Sequence, residues 1–240
     1  PEQKAIAEVL SSLDDKIDLL HRQNKTLESL AQTLFRQWFI EEAEEKLPNG
    51  TTQKLGDLID TISETFKFTE EPVVFLNTSD IYGGTVLTHE LSNPAILPGQ
   101  AKKRIKKGDI LYSEIRPANK RCAFIDFEAE NYVVSTKLMV LRAKPNVSPA
   151  ILYFYLTHPG TMDWLQMIAE SRSGTFPQIT FDQVKEMEIN FPDEKRLSEI
   201  TSWAESTMGK ISQNREQIKT LTKLRDELLP KLISGHIGVN

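Results

Sequence analysis

Residues 102–121 concentrate positive charge that the rest of the chain does not carry. Lys102, Lys103, Arg104, Lys106, Lys107, Arg116, Lys120 and Arg121 are opposed by Asp109 and Glu114 alone, a local balance of +6 within a 240-residue chain whose net charge is −5. Cationic groups at this density suit a polyphosphate, and Lys102, Lys103, Arg104, Lys106 and Lys107 are the candidate phosphate contacts. Taken singly, each lysine reads equally well as a solvated surface charge; it is the clustering that points to nucleic acid. Arg116, Asn119, Lys120 and Arg121 follow a candidate strand into a loop at Pro117, and Arg and Asn are the side chains that match guanine and adenine edges in the major groove. A second polar loop, residues 171–178, presents Arg172, Ser173, Thr175 and Gln178 as further DNA contacts. Tyr82, just before Gly83-Gly84, can touch a base or cap a turn, and the turn is the simpler reading. The acidic overall balance argues against broad nonspecific coating of nucleic acid.

Catalytic and metal-binding signals are absent from the sequence. There is no Asn-Pro-Pro-Tyr-like adenine site and no glycine-rich loop after a strand that would cradle a methyl donor. Glu44-Glu45-Lys46 and Asp193-Glu194-Lys195 carry a carboxylate-x-Lys spacing, but both lie on or beside helices, where charge runs are solvated faces. His21, His89, His158 and His236 have no metal-ligand spacing, and the single Cys122 can form neither an internal disulfide nor a cysteine-built zinc site. Cys122 reads as a small residue packed in a strand. The lone cysteine fits a cytoplasmic compartment, and no run of about 18 apolar residues suggests a membrane span. No catalytic residue, metal or cofactor is therefore assigned.

The elements that would position these residues come from a repeat. Pro1-Glu2-Gln3-Lys4-Ala5-Ile6 reappears in kind as Pro192-Asp193-Glu194-Lys195-Arg196-Leu197, and the same offset aligns Ile17 with Met208, Leu20 with Ile211, Leu27 with Ile218 and Leu30 with Leu221. The first copy has a heptad seam at Leu10, Leu13, Ile17, Leu20, Asn24, Leu27, Ala31, Leu34 and Trp38, with Asn24 at an a position, where a buried amide fixes register at a cost in stability. It fades through residues 41–46 and stops at Leu47-Pro48-Asn49-Gly50. The second copy carries Leu197, Ile200, Ala204, Met208, Ile211, Ile218, Leu221, Leu224 and Leu228, a less regular seam, and ends at Gly235, a residue suited to a helix C-cap.

Between the copies the helical period disappears. Short apolar runs at 73–76, 110–113, 122–125, 132–134, 138–141 and 188–191 read as strands, and 149–156 and 162–169 as helices. The expected fold class is α+β: a globular recognition domain inserted at the tip of a long antiparallel two-helix coiled coil. The boundaries are a helix over 1–46, a globular block over 47–191, a second helix over 192–235 and a tail over 236–240. Trp38, Phe39 and Trp203 read as core between coil and block. The ends of an inserted domain lie close together, so facing residues should number to about 237 and place Asn24 opposite Gln213-Asn214-Arg215. About 40 helical residues make a rod of about 60 Å, on the order of 17 base pairs of duplex.

The order of three segments, together with the duplicated helix, resembles the specificity subunit of type I restriction–modification systems. The segments are Ile105-Lys106-Lys107-Gly108-Asp109-Ile110-Leu111, Ser171-Arg172-Ser173-Gly174-Thr175-Phe176-Pro177-Gln178-Ile179, and Ile189-Asn190-Phe191-Pro192-Asp193-Glu194-Lys195-Arg196-Leu197. On this resemblance the two helices are the family's conserved regions and residues 51–191 its target recognition domain. Pro1 stands where a first recognition domain ends in that family, so the chain resembles the C-terminal half of such a subunit. The resemblance implies a non-catalytic subunit that reads one half of a bipartite site in double-stranded DNA. It implies DNA adenine methyltransferase subunits and a motor–nuclease subunit as partners, with methyl donor and ATP held on those partners. Two such halves pairing head-to-tail as a homodimer through the coil would rebuild the family's pseudo-twofold symmetry. Two other classes stay open from the residues alone: a free-standing coiled-coil DNA-binding regulator, and a coiled-coil scaffold with a protein-binding head.

Overall fold

A computed structural model describes residues 2–42, 50–172 and 174–234. The chain opens with α1 (Glu2–Arg36), followed by β1 (Thr51–Lys54), α2 (Leu55–Leu58), β2 (Ile59–Thr61) and β3 (Val73–Leu76). Next come β4 (Ile81–Tyr82), β5 (Thr85–Val86), β6 (Leu91–Ser92), β7 (Ala101–Arg104), β8 (Ile110–Ser113) and β9 (Cys122–Phe124). The chain then forms β10 (Tyr132–Ser135), β11 (Leu138–Ala143), α3 (Pro149–Thr157), α4 (Pro159–Arg172), α5 (Phe181–Val184), β12 (Glu188–Phe191) and α6 (Glu194–Ile233). It divides into two compact units, Pro1–Leu34 with Ser202–Asn240, and Phe35–Thr201. The helix stop expected at Leu47-Pro48-Asn49, the Gly235 cap, His236 and the 236–240 tail lie outside the described residues.

The first unit is an antiparallel helix pair. Asn24 Oδ1 accepts from Asn214 Nδ2 at 2.8 Å, Glu28 pairs with Arg215 at 3.4 Å, and Asp14 pairs with Arg225 at 3.0 Å. These pairs number to 238, 243 and 239, near-constant as antiparallel pairing requires and close to the value expected from the sequence. On α1 the seam falls where the heptad puts it: Leu20, Asn24 and Ala31 are buried, and Leu10, Leu13, Ile17, Leu27 and Leu34 are half-buried. On α6 the seam is more regular than its sequence suggests. Ala204, Thr207, Ile211, Asn214, Ile218, Leu221, Arg225, Leu228 and Leu232 follow alternating steps of three and four, none of them exposed. Leu224, expected on that seam, is 42% exposed. Arg225 takes the position instead, because its aliphatic stem covers apolar surface while its guanidinium reaches Asp14 and Asp226.

The second unit is built from two four-stranded sheets, ordered β6-β3-β10-β7 and β2-β11-β8-β9, with a β1–β12 pair and a β4–β5 hairpin. Strands β3 and β10 run parallel, and the remaining neighbours are antiparallel. Val74, Leu76 and Val134 from the first sheet share one core with Leu111, Ala123, Leu138 and Val140 from the second. The odd positions of the first sheet, Val73 and Val133, join Ala101, Phe66 and the half-buried Phe75 and Leu97 in a second cluster. Helix α3, buried at six of its nine positions, packs on β11 and lays Tyr153 edge-on against Phe124 at 5.7 Å. The central strands β3, β8, β10 and β11 are thus covered on both faces, which is why they read as continuous apolar runs rather than as alternating ones. Phe39 is buried in this unit, stacked on Phe35 at 4.6 Å and edge-on to Phe191 at 5.8 Å. Trp38 is half-buried beneath the Arg196 guanidinium, and Trp203, on the helix pair, is half-buried.

The Asn24–Asn214 layer is incompletely satisfied, since Asn214 Oδ1 is buried with no donor among the described residues. Asn24→Leu alone should therefore cost about 1–3 kcal/mol in urea denaturation, because it strands the remaining amide. Asn24→Leu with Asn214→Leu should recover that loss. Additive losses from the two changes would show that the amides do not act as a pair.

Candidate nucleic-acid interface

Strand β8 separates the basic cluster into two sites. Its partner β9 pairs Ile110 with Phe124, Leu111 with Ala123 and Tyr112 with Cys122, and the ladder closes with Ser113 N donating to Arg121 O at 2.9 Å. Residues 114–120 are therefore the loop of a β8–β9 hairpin. Residues 105–109 form the turn at the opposite end, where Gly108 N donates to Ile125 O and Ile125 N to Asp109 O. A four-residue strand at about 3.3 Å per residue keeps the two ends roughly 10 Å apart or more. The single basic face suggested by the sequence is thus two, because an extended strand carries the chain across the sheet between them.

Several of the cations have internal partners. Lys103 sits on β7, half-buried, with its ammonium donating to Leu138 O at 2.7 Å and Thr136 O at 3.2 Å. Burial pushes its pKa below the ordinary lysine value. Arg121 Nη1 donates to Ser79 O at 2.8 Å and Ile81 O at 3.4 Å. Arg104 and Lys107 are exposed and pair with Glu64 and Glu128 at 3.5 and 3.2 Å, contacts weak enough in water to yield to a phosphate. Lys102, Lys106, Arg116, Asn119 and Lys120 are exposed, and their side chains make no hydrogen bond or ion pair among the described residues.

The 114–120 loop is held from three sides. Arg116 N donates to Pro177 O at 3.2 Å, and Ile179 N to Glu114 O at 2.8 Å, while Ile115 bridges Gln178; this joins the two loops that the sequence singled out. Ala118 N donates to Gln166 Oε1 of α4 at 3.1 Å. On the far side Gly83 N donates to Lys120 O at 3.0 Å. Arg172 and Thr175 are exposed near this junction, and Gln178 is half-buried in the bridge. Ser173 lies outside the described residues. Sequence reasoning passed over Lys137, exposed on the β10–β11 turn with its carbonyl accepting from Glu114 N, and Phe176, 63% exposed. Neither carries a local signal, since what places them here is long-range pairing. Among the described residues there is no metal-binding cluster of His, Cys, Asp or Glu and no helix long and apolar enough to cross a membrane.

Within the loop, Arg116 and Lys120 bracket a 3-10 turn at Pro117–Asn119, and both have left-handed backbones, at φ 46° and φ 53°. A side chain there costs on the order of 1 kcal/mol or more, so the loop's shape is imposed by its ties rather than by local preference. Lys120→Val should lose about 1–2 kcal/mol of stability by thermal unfolding, whereas Lys120→Gly, which removes the same charge, should lose nothing. Equal loss in both variants would contradict the strain.

The comparisons with known proteins bear on the whole arrangement. Residues 51–223 match the family model described as type I restriction modification DNA specificity domain. The chain is 48% identical over 176 residues to the type I restriction enzyme HindI specificity subunit of Haemophilus influenzae, covering 72% of this chain and 38% of that protein. It is 25% identical over 263 residues to the MjaIX specificity subunit of Methanocaldococcus jannaschii, covering 99% of this chain and 59% of that one. The chain thus spans well under two thirds of the length of either relative. Its fold is that of the S subunit of a type I restriction-modification system from M. genitalium (TM-score 0.60, 17% identity, covering 96% of this chain and 60% of that one). The HsdS subunit from Thermoanaerobacter tengcongensis is similar at TM-score 0.53 and 17% identity, covering 98% of this chain and 58% of that one. A family model that spans both the α+β unit and much of α6, with a relative at 48% identity, leaves one conclusion: the chain belongs to the type I restriction modification DNA specificity domain family.

Proposed function

We propose that this chain supplies DNA sequence specificity to a type I restriction–modification complex, reading one half of a bipartite target. The observation that carries the reading is the family match across residues 51–223, which includes the loops held together around Pro117. On this reading Arg116 and Asn119 address base edges, with Thr175, Gln178 and Arg172 beside them and Ser173 a further DNA contact of the same segment. Lys120 and the more distant Lys102, Arg104, Lys106 and Lys107 draw in the phosphate backbone. Lys103 and Arg121 act from beneath, holding strands and loops in place. The helix pair, with its register set at Asn24, Leu20, Leu27, Ile211 and Ile218, docks DNA adenine methyltransferase subunits and fixes the distance to the other half-site. A motor–nuclease subunit joins for cleavage. The chain itself is non-catalytic, with methyl donor and ATP on its partners, and works in the cytoplasm alongside the DNA it reads.

The test is a tagged pull-down from the host with partners identified by mass spectrometry, coupled to single-molecule sequencing of host DNA with and without the gene for this chain. Recovery of a DNA adenine methyltransferase, together with loss of a split methylated-adenine motif when the gene is removed, is the expected result. Recovery of the chain alone with methylation unchanged would favour a free-standing DNA-binding regulator.

A further inference from the structure

The β4–β5 hairpin is built more rigidly than a surface loop requires. Gly83 and Gly84 both have left-handed backbones, at φ 53° and φ 87°, as a two-residue type I′ turn demands. Tyr82 pairs with Thr85 across it, and Ile81 with Val86. Ile81 is wholly buried in the main core. Side chains alternate along a strand, so Tyr82 faces outward, 53% exposed.

Four ties fix the hairpin to the reading loop and to β9. Gly83 N donates to Lys120 O and Gly84 N to Cys122 O, each at 3.0 Å, and Phe124 N donates to Gly84 O at 3.2 Å. The fourth is the Arg121 guanidinium, bonded to the carbonyls of Ser79 and Ile81. At the base of the hairpin, Asn77 and Asp80 form a reciprocal cap on the Thr78–Asp80 turn. Tyr82 is therefore held one residue from Gly83, whose amide is bonded to Lys120, the residue that follows Asn119 in the loop. Its hydroxyl makes no hydrogen bond among the described residues, and the space around Gly83 is open.

A turn cap would not need this arrangement. The glycines make the turn by themselves, at φ 53° and φ 87°, and more than half of Tyr82 is left to water. A rigidly mounted, outward-facing tyrosine is instead suited to recognition. It offers apolar area and one polar tip at small cost in side-chain freedom. On the DNA-reading assignment of Arg116 and Asn119, which share the loop tied to this hairpin through Lys120, that chemistry fits the methyl-bearing edge of a thymine-containing base pair.

We infer that Tyr82 is a specificity-determining residue, contacting the base pair next to the one addressed by Asn119, and that Arg121 is a positioning residue that holds the hairpin for it. This rests on the DNA-reading assignment above.

The test uses the full chain, alone and with its co-purified partner, to select from a duplex DNA library with a randomised segment. Wild type is compared with Tyr82→Ala, Tyr82→Phe and Arg121→Ala. Tyr82→Ala should enrich the same half-site but lose about tenfold or more discrimination at one base pair, with its melting temperature unchanged. Tyr82→Phe should retain most of that discrimination if the ring is what reads. Arg121→Ala should blur the same position and speed hydrogen exchange at the Gly83 and Gly84 amides. If wild type enriches a half-site and Tyr82→Ala enriches it with identical preference at every position, the inference fails while the DNA-reading assignment stands. If wild type enriches nothing, the assignment fails and the inference falls with it.

Discussion

The carboxylate of Asp109 is wholly removed from water, and the second sheet is organised around it. Arg142 of β11 donates to both of its oxygens, at 2.7 and 2.8 Å, and the Lys106 amide donates to Oδ2 at 2.9 Å. An unpaired charge at that depth would cost about 3–5 kcal/mol, so neither partner is dispensable. The pair closes the turn before β8, at the point where Gly108 adopts φ 88°, and locks β8 to β11. With that end pinned, β8 runs rigidly to the loop that carries Arg116, Asn119 and Lys120. The base recognition proposed for this loop needs such a mount, because groups that address a base edge must be held within about half an ångström of the productive geometry.

The same division of labour recurs among the cations. Lys103, Arg121 and Arg142 spend their donors on the protein, bracing a strand, a hairpin and a turn. Lys102, Lys106, Arg116 and Lys120 leave theirs to the solvent. In a chain of net charge −5, this gives local attraction for phosphate without general affinity for polyanions. The helix pair shows a related compromise. Its polar layer at Asn24 and Asn214 sacrifices packing for a defined register, and Arg225 on the seam adds a cross-helix bond to Asp14.

Much of this was legible in the chain. Heptad spacing located the α1 seam and the amide layer from one-dimensional periodicity, because buried apolar positions on a helix recur locally. The strands at Val73–Leu76 and Ile110–Ser113 were recovered with their ends because covered strands are apolar throughout, and Glu188–Phe191 because its apolar residues alternate with exposed polar ones. What stayed hidden depends on partners distant in sequence. Strand β1 is entirely exposed and polar, and only its pairing with β12 makes it a strand. Strand β7, Ala-Lys-Lys-Arg, reads as a basic loop until β10 pairs with it. Lys103 looks identical to its neighbours, yet two carbonyls more than thirty residues away capture it. Polar residues at Thr207, Asn214 and Arg225 disguised the α6 seam. The meeting of the 83–84, 114–120 and 175–179 segments has no local signature at all, and it is this meeting that makes the candidate interface.

The central claim is that the β8–β9 loop faces DNA. A photocrosslinking amino acid at position 119, and separately at position 52 on the exposed strand β1, which carries none of the proposed DNA contacts, tests it directly when the chain and its partners are irradiated with duplex DNA from the host. The account predicts crosslinked DNA from position 119 and none from position 52. Crosslinking from position 52 alone, or equally from both, would contradict it.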